Sequence, residues 1–181
     1  MKTITENSLK AEAANDNINI DEINSLLVQR LAEKGIKIAT AESCTGGLIS
    51  KKITEISGAS AVFDCGVCSY SNEIKSRILK VSRATLDAVG AVSEETAVEM
   101  AKGVRELANS CIGVSTTGIA GPTGGTPQKP VGLVYIGVST KDKAYAVKAL
   151  LCENKVNNRE KVRELAAAMY LAYKEVNSNS I

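Results

Sequence analysis

The feature that most narrows the fold is a short apolar run, Ile36 to Ala41, that passes directly into Glu42-Ser43-Cys44-Thr45-Gly46-Gly47 and then into a helical pattern. A short β-branched run of this kind reads as a buried strand. Leu48, Ile49, Ile53 and Ile56 then recur at helical spacing until Gly58. A strand, a glycine-rich turn and a helix in succession put small side chains and backbone N–H groups at a helix N-terminus. Such a unit belongs to layered α/β folds.

The same alternation runs on. Upstream, a helix is expected from Asn19, which serves as cap with Glu22 three residues later, through the face of Ile20, Ile23, Leu26, Leu27 and Leu31 to Gly35. Downstream, Ala61 to Tyr70 reads as a strand, and Ser71 or Asn72 caps a short helix carrying Ile74, Ile78 and Leu79. Ser93 caps another helix, with Glu94 and Glu95 well placed in its first turn. Cys111 to Thr116 is a strand that enters the glycine-rich segment Gly118 to Gly125. Gly132 to Ser139 and Ala144 to Cys152 are further strands, and the short Lys141-Asp142-Lys143 link between them predicts an antiparallel hairpin. A last helix is expected from about Asn158 to Glu175, with an apolar stripe at Val162, Leu165, Ala166, Met169 and Tyr170. The pattern predicts a three-layer α/β/α fold with a mixed sheet, in one domain over residues 19–181. Residues 1–18 show no apolar period and read as a polar tail, disordered or loosely packed.

Charge excludes one class of function. The 181 residues carry 22 basic and 20 acidic side chains, a formal net charge of +2. That balance gives no long-range field to gather polyanions. One Phe, five Tyr and no Trp supply little for base stacking. A nucleic-acid binder is therefore not expected. No apolar run reaches the roughly 20 residues needed to span a bilayer, and residues 1–19 lack the apolar centre of a signal peptide. The expected place is the cytoplasm.

The chain has no histidine. Ser-His-Asp and Cys-His catalysis and histidine-based zinc motifs are thereby excluded, leaving Lys, Asp, Glu, Tyr or a bound water as general base. The cysteines are Cys44, Cys65, Cys68, Cys111 and Cys152, an odd number with no disulfide framework expected. Cys65-Gly-Val-Cys68 has metal-ligand spacing but lacks a second pair, so the two read as small side chains on or beside a strand, and no metal site is expected.

Three polar or glycine-rich segments lie at strand ends, where α/β folds place their sites. They are Thr40 to Gly47, Tyr70 to Lys75, and Thr117 to Gly125. None ends in the Gly-Lys-Ser/Thr of a phosphate-binding loop, and each alone reads equally as tight backbone. Together with Gly90-Ala91-Val92-Ser93 and Lys129-Pro130-Val131-Gly132, and in this order, Ala41 to Gly47, Tyr70-Ser71-Asn72-Glu73 with Lys75, and Gly118-Ile119-Ala120-Gly121-Pro122 resemble the signature of the CinA C-terminal domain family. The resemblance covers roughly residues 20 to 175.

It implies an amidohydrolase that converts nicotinamide mononucleotide to nicotinic acid mononucleotide and ammonia, within pyridine-nucleotide recycling. By the same resemblance Ser43 is the nucleophile and Lys75 its base, with oxyanion donors around Thr45, Gly46 and Gly47. Tyr70 then faces the ring or carboxamide, and Thr117, Gly118 and Gly121 the ribose or phosphate. Arg159 and Arg163 are candidates for the phosphate, although Asn157-Asn158 stands where the family shows Gly-Asp, which unsettles Arg159. A lysine serves as base near neutral pH only if burial disfavours its charge, so Lys75 is expected in a dry site. Cys44 is the rival nucleophile. Longer relatives carry an N-terminal domain tied to ADP-ribose hydrolysis; the chain has no room for it, and no such activity is expected. No cofactor is implied, a homo-oligomer fits without a fixed subunit number, and the rival reading is an inactive or differently specific relative that binds a partner.

Overall fold

The structure is a computed structural model that describes residues 3–150 and 162–178. In chain order the elements are β1 (Thr3–Thr5), α1 (Glu6–Asn15), α2 (Ile23–Lys34), β2 (Ile38–Glu42), α3 (Leu48–Thr54), β3 (Phe63–Cys68), α4 (Asn72–Leu79), α5 (Arg83–Val89), α6 (Glu94–Leu107), β4 (Ile112–Gly118), β5 (Leu133–Ser139), β6 (Ala144–Leu150) and α7 (Val162–Asn177). The strands form one sheet in the order β1-β6-β5-β4-β2-β3. β2 runs parallel to both β3 and β4, whereas β4–β5 and β5–β6 are antiparallel. The mixed sheet and the β5–β6 hairpin are as the sequence predicts.

Alternation along the strands sorts the core into two layers. Ile38, Ile112, Val114, Ile136, Val138 and Val147 face one side and join Leu27, Leu31, Met169 and Tyr170 in the larger apolar cluster beneath α2 and α7. Burying each of these Leu or Ile side chains contributes about 1.5–3 kcal/mol. On the other face Ala39 and Ala41 meet Leu79, Met100 and Val104 of α4 and α6. The side chains of residues 162–166 and the whole of residues 158–161 lie outside the described residues, so the expected start of the last helix falls there.

The second face is held at very short range. A Cβ added to Gly113 on β4 would come 2.1 Å from the Ala101 carbonyl oxygen, and one on Gly137 of β5 would come 2.3 Å from that of Ala97. Between them the Ser115 hydroxyl donates to the Ala97 carbonyl at 2.6 Å. At Gly103 an added Cβ would overlap the Leu79 carbonyl. Small residues thus let α6 lie against the sheet and against the end of α4.

Two segments differ from expectation. Residues 3–15 are not a tail: β1 adds to the sheet edge parallel to β6, pairing Ile4 with Ala149. Thr5 then caps α1 through reciprocal bonds with Ser8. Leu9 and Ala13 are buried, and the Tyr170 hydroxyl donates to Asp16 at 2.6 Å. The physical reason is that a three-residue strand and a helix burying two side chains one turn apart leave no apolar period to detect, while a parallel partner closes an otherwise open edge. The helix α5 is the other, a short element that buries Leu86 alone and so leaves no apolar period.

Gly137→Ala is expected to destabilise the fold by about 1–3 kcal/mol through overpacking, seen as a lower thermal midpoint. An unchanged midpoint would mean that α6 can lift off the sheet at no cost.

Candidate active site

The site begins with a carboxylate. Glu42 ends β2 and is fully buried. One of its oxygens accepts the N–H groups of Gly47 (2.9 Å) and Ile49 (3.1 Å); the other accepts the N–H and hydroxyl of Ser50, both at 2.8 Å. These donors belong to the N-terminal turn of α3, whose first N–H groups have no partner within the helix. The turn between strand and helix is made by Gly46 and Gly47, at φ of 64° and 96°, a region that favours glycine. Thr45 completes it, its hydroxyl 2.7 Å from that of Thr116 on β4.

Ser43 follows Glu42, and by alternation its side chain leaves the sheet on the other face, toward α4. Its N–H donates to the Thr116 carbonyl at 3.0 Å. Lys75 comes from α4, which Ser71 caps by accepting the Ile74 N–H at 3.2 Å. Lys75 is 1% exposed. Its Nζ lies 3.0 Å from the Ser43 Oγ, 2.7 Å from the Ser69 carbonyl oxygen and 3.3 Å from that of Tyr70. Burial holds this amine below the ordinary lysine value, against the opposite pull of the nearby Cys44 and Cys68 thiols.

The pair opens on a cleft of about 410 Å³. Thr117, Gly118 and Gly121 form one wall with the segment after β4, and Ala91 and Val92 form another. The Thr117 hydroxyl donates to the Ala91 carbonyl at 2.6 Å and ties the two walls together. Gly118 has no room for a Cβ, which would come 2.4 Å from the Leu133 carbonyl oxygen. Tyr70 stands on the lip, 82% exposed.

Of the residues singled out in the sequence, Ser43, Lys75, Tyr70, Thr117, Gly118 and Gly121 meet at this cleft. Thr45, Gly46 and Gly47 are not among its lining residues, and the Gly47 N–H is already taken by Glu42. Arg159 lies outside the described residues, as does the side chain of Arg163. Cys44 also lines the cleft, and its side chain is buried in the larger apolar cluster. Glu42 and Ala91–Val92 enter the sequence reading only as parts of motifs, with no role of their own. A buried glutamate at a strand end has no mark in sequence that separates it from a solvated one. Among the described residues no group of three metal-binding side chains comes together, and no helix is long and apolar enough to cross a membrane.

The fold and this cleft define a three-layer α/β protein with a serine–lysine pair at the end of a central strand. The family described as the CinA C-terminal domain matches residues 20–175, and the chain belongs to it. A protein of Caldanaerobacter subterraneus subsp. tengcongensis, named for competence-damage induction, is 53% identical over 146 residues, which is 81% of this chain and 34% of that protein. A CinA-like protein of Kosmotoga olearia is 51% identical over 77% of this chain and 34% of its own length. The chain therefore spans about a third of the length of the curated relatives it matches. The crystal structure of the competence/damage inducible protein CihA from Agrobacterium tumefaciens superposes with a TM-score of 0.80 at 35% identity, covering 88% of this chain and 96% of that one.

Glu42→Gln retains the shape but turns an NH2 group toward N–H donors. It is expected to cost about 1–3 kcal/mol of stability, measured by denaturant unfolding; an unaltered midpoint would show that the turn does not depend on the charge.

Proposed function

We propose that the chain hydrolyses the carboxamide of nicotinamide mononucleotide, giving nicotinic acid mononucleotide and ammonia, with Ser43 as nucleophile and Lys75 as its base. The observation that carries this reading is the buried Lys75 amine 3.0 Å from the Ser43 hydroxyl, at the floor of a cleft. A serine is activated only by a neighbouring base, and a lysine can be that base only where its charge is disfavoured. Membership of the family supports the same chemistry.

In the proposed cycle the neutral amine keeps its two N–H groups on the Ser69 and Tyr70 carbonyls and turns its lone pair to Ser43. The Ser43 oxygen bonds to the carboxamide carbon as its proton passes to Lys75. The C–N bond then breaks, and the same proton leaves with ammonia. Water, deprotonated by the neutral amine, cleaves the resulting ester and restores the serine. Because the N–H groups of Ser43 and Gly47 are engaged by Thr116 and Glu42, the oxyanion donors are sought at Cys44, which lines the cleft, and at Thr45 and Gly46 next to it. Tyr70 on the lip is suited to cover a flat ring, and the wall from Thr117 to Gly121 to meet the ribose phosphate. Arg159 is retained as a phosphate candidate. Every residue named in this cycle lies in the expected domain, residues 19–181.

The direct test is formation of nicotinic acid mononucleotide and ammonia from nicotinamide mononucleotide by the purified protein with EDTA present. Ser43→Ala is expected to lower turnover by about three orders of magnitude or more, and Cys44→Ala to retain most of it. No product from folded parent protein would refute the substrate. Loss of turnover in a folded Cys44→Ala variant would transfer the nucleophile's role to the thiol.

Protonated Lys75 cannot act as base, so kcat/KM is expected to rise with pH along a limb governed by this amine. Burial lowers its pKa, so the limb is expected below about 10.4, the value of an ordinary lysine. Lys75→Arg, which stays charged, is expected to abolish turnover across the whole range. A limb at the ordinary lysine value would contradict the proposed role.

A further inference from the structure

The hydroxyl of Ser69 is fully buried and has no hydrogen-bond partner among the described residues. A buried hydroxyl left in that state costs about 1–3 kcal/mol. Its position follows from strand register. β2 and β3 are parallel, with Ala41 opposite Val67 and Glu42 opposite Cys68. The next bond of the ladder, from the Ser69 N–H to the Glu42 carbonyl at 2.7 Å, carries the register one step on and sets Ser69 beside Ser43.

Ala41 lies in the apolar cluster under α6, and Val67 packs against it. Ser43 and Ser69 each follow two residues later, so both side chains leave the sheet on this face. Lys75 occupies the same place, its Nζ between the Ser43 hydroxyl and the Ser69 carbonyl. The orphaned hydroxyl therefore lies on the face of the sheet that carries the reacting pair.

We propose that Ser69 is a positioning residue for Lys75, its hydroxyl accepting an N–H of the ammonium that forms when Ser43 is deprotonated. This rests on the Ser43–Lys75 reading above. In that step the Ser43 O–H bond breaks and a third N–H bond forms on Lys75. The new ammonium must keep one N–H directed at the departing nitrogen and place the other two. The Ser69 carbonyl at 2.7 Å takes one, but the Tyr70 carbonyl at 3.3 Å is a long second acceptor. In a dry site the Ser69 hydroxyl replaces it. The ammonium is then gripped by one residue and hands its third proton to the departing nitrogen, which leaves as ammonia.

The test uses phenylmethanesulfonyl fluoride, which modifies an activated serine whatever the natural substrate. The Ser43 oxygen bonds to sulfur, fluoride leaves, and the serine proton goes to Lys75. Modification is followed by intact mass against pH, together with thermal melting, for the parent protein, Ser69→Ala and Ser69→Thr. The Cys44 and Cys68 thiols, whose charge acts on Lys75, are kept in every variant.

Ser69→Ala is expected to react about fivefold more slowly, the loss of one ordinary hydrogen bond. Its acid limb is expected at lower pH, because an ammonium with one acceptor fewer gives up its proton more readily. Its melting temperature should be unchanged or higher, since no folded-state partner is lost. Ser69→Thr, which keeps the hydroxyl, should follow the parent. Superposed pH–rate curves for the parent and Ser69→Ala would overturn the assignment, as would Ser69→Thr as slow as Ser69→Ala. A folded parent that is not modified at all would overturn the serine–lysine reading itself, and the role of Ser69 with it.

Discussion

A glutamate side chain removed from water is among the least favourable groups a protein can bury, at several kcal/mol for an ionised carboxylate without partners. Glu42 is fully buried, and its two oxygens collect four donors from the start of α3. The partial positive charge of the helix end and the aligned N–H groups offset the desolvation. The exchange is geometric as well as energetic. With the side chain of Glu42 committed to one face of the sheet, the next residue must leave on the other, and that residue is Ser43. The direction of the serine is thus set by a residue that never enters the cleft.

The two faces of the sheet consequently carry different duties around one strand end. On the α3 side, the Glu42 carboxylate and the Thr45–Thr116 hydroxyl pair each find partners and fix the turn. On the α4 side, Ser43, Ser69 and Lys75 form a smaller one that is incompletely satisfied. Rigidity sits behind the site and unmet hydrogen-bonding capacity within it. The Thr117 hydroxyl links this arrangement to the opposite wall through Ala91.

How much of this was legible in the sequence depends on range. The β2–turn–α3 unit, the caps at Ser71 and Ser93 and the β5–β6 hairpin are local, and each is visible in spacing and residue type. Ser43 and Lys75 stood out by resemblance, and their 32-residue separation closes to 3.0 Å only in the fold. Thr45, Gly46 and Gly47 belong to the same segment as Ser43, but spacing alone does not say which of their N–H groups the turn itself consumes, as Glu42 does that of Gly47. The role of Glu42 depends on burial and that of Ser69 on β3 lying next to β2, neither of which is encoded in a local pattern. The β1–α1 segment was missed for another reason: its partner β6 lies 145 residues away at Lys148, opposite Thr3, so nothing nearby in sequence signals the pairing.

The layer beneath α6 has a consequence for how this architecture can vary. Its thickness is set where carbonyl oxygens of Ala97 and Ala101 meet Gly137 and Gly113, at a limit from which no smaller residue can retreat. Substitution there runs in one direction only, toward bulk, and every step in that direction pushes a helix whose first residues lead back to the Ala91–Val92 wall. The layer under α2 and α7 is made of Ile, Leu and Val, which can exchange volume with one another. Sequence drift is therefore channelled to one side of the sheet, and the spacing of the cleft is inherited through the side where the alphabet has already run out.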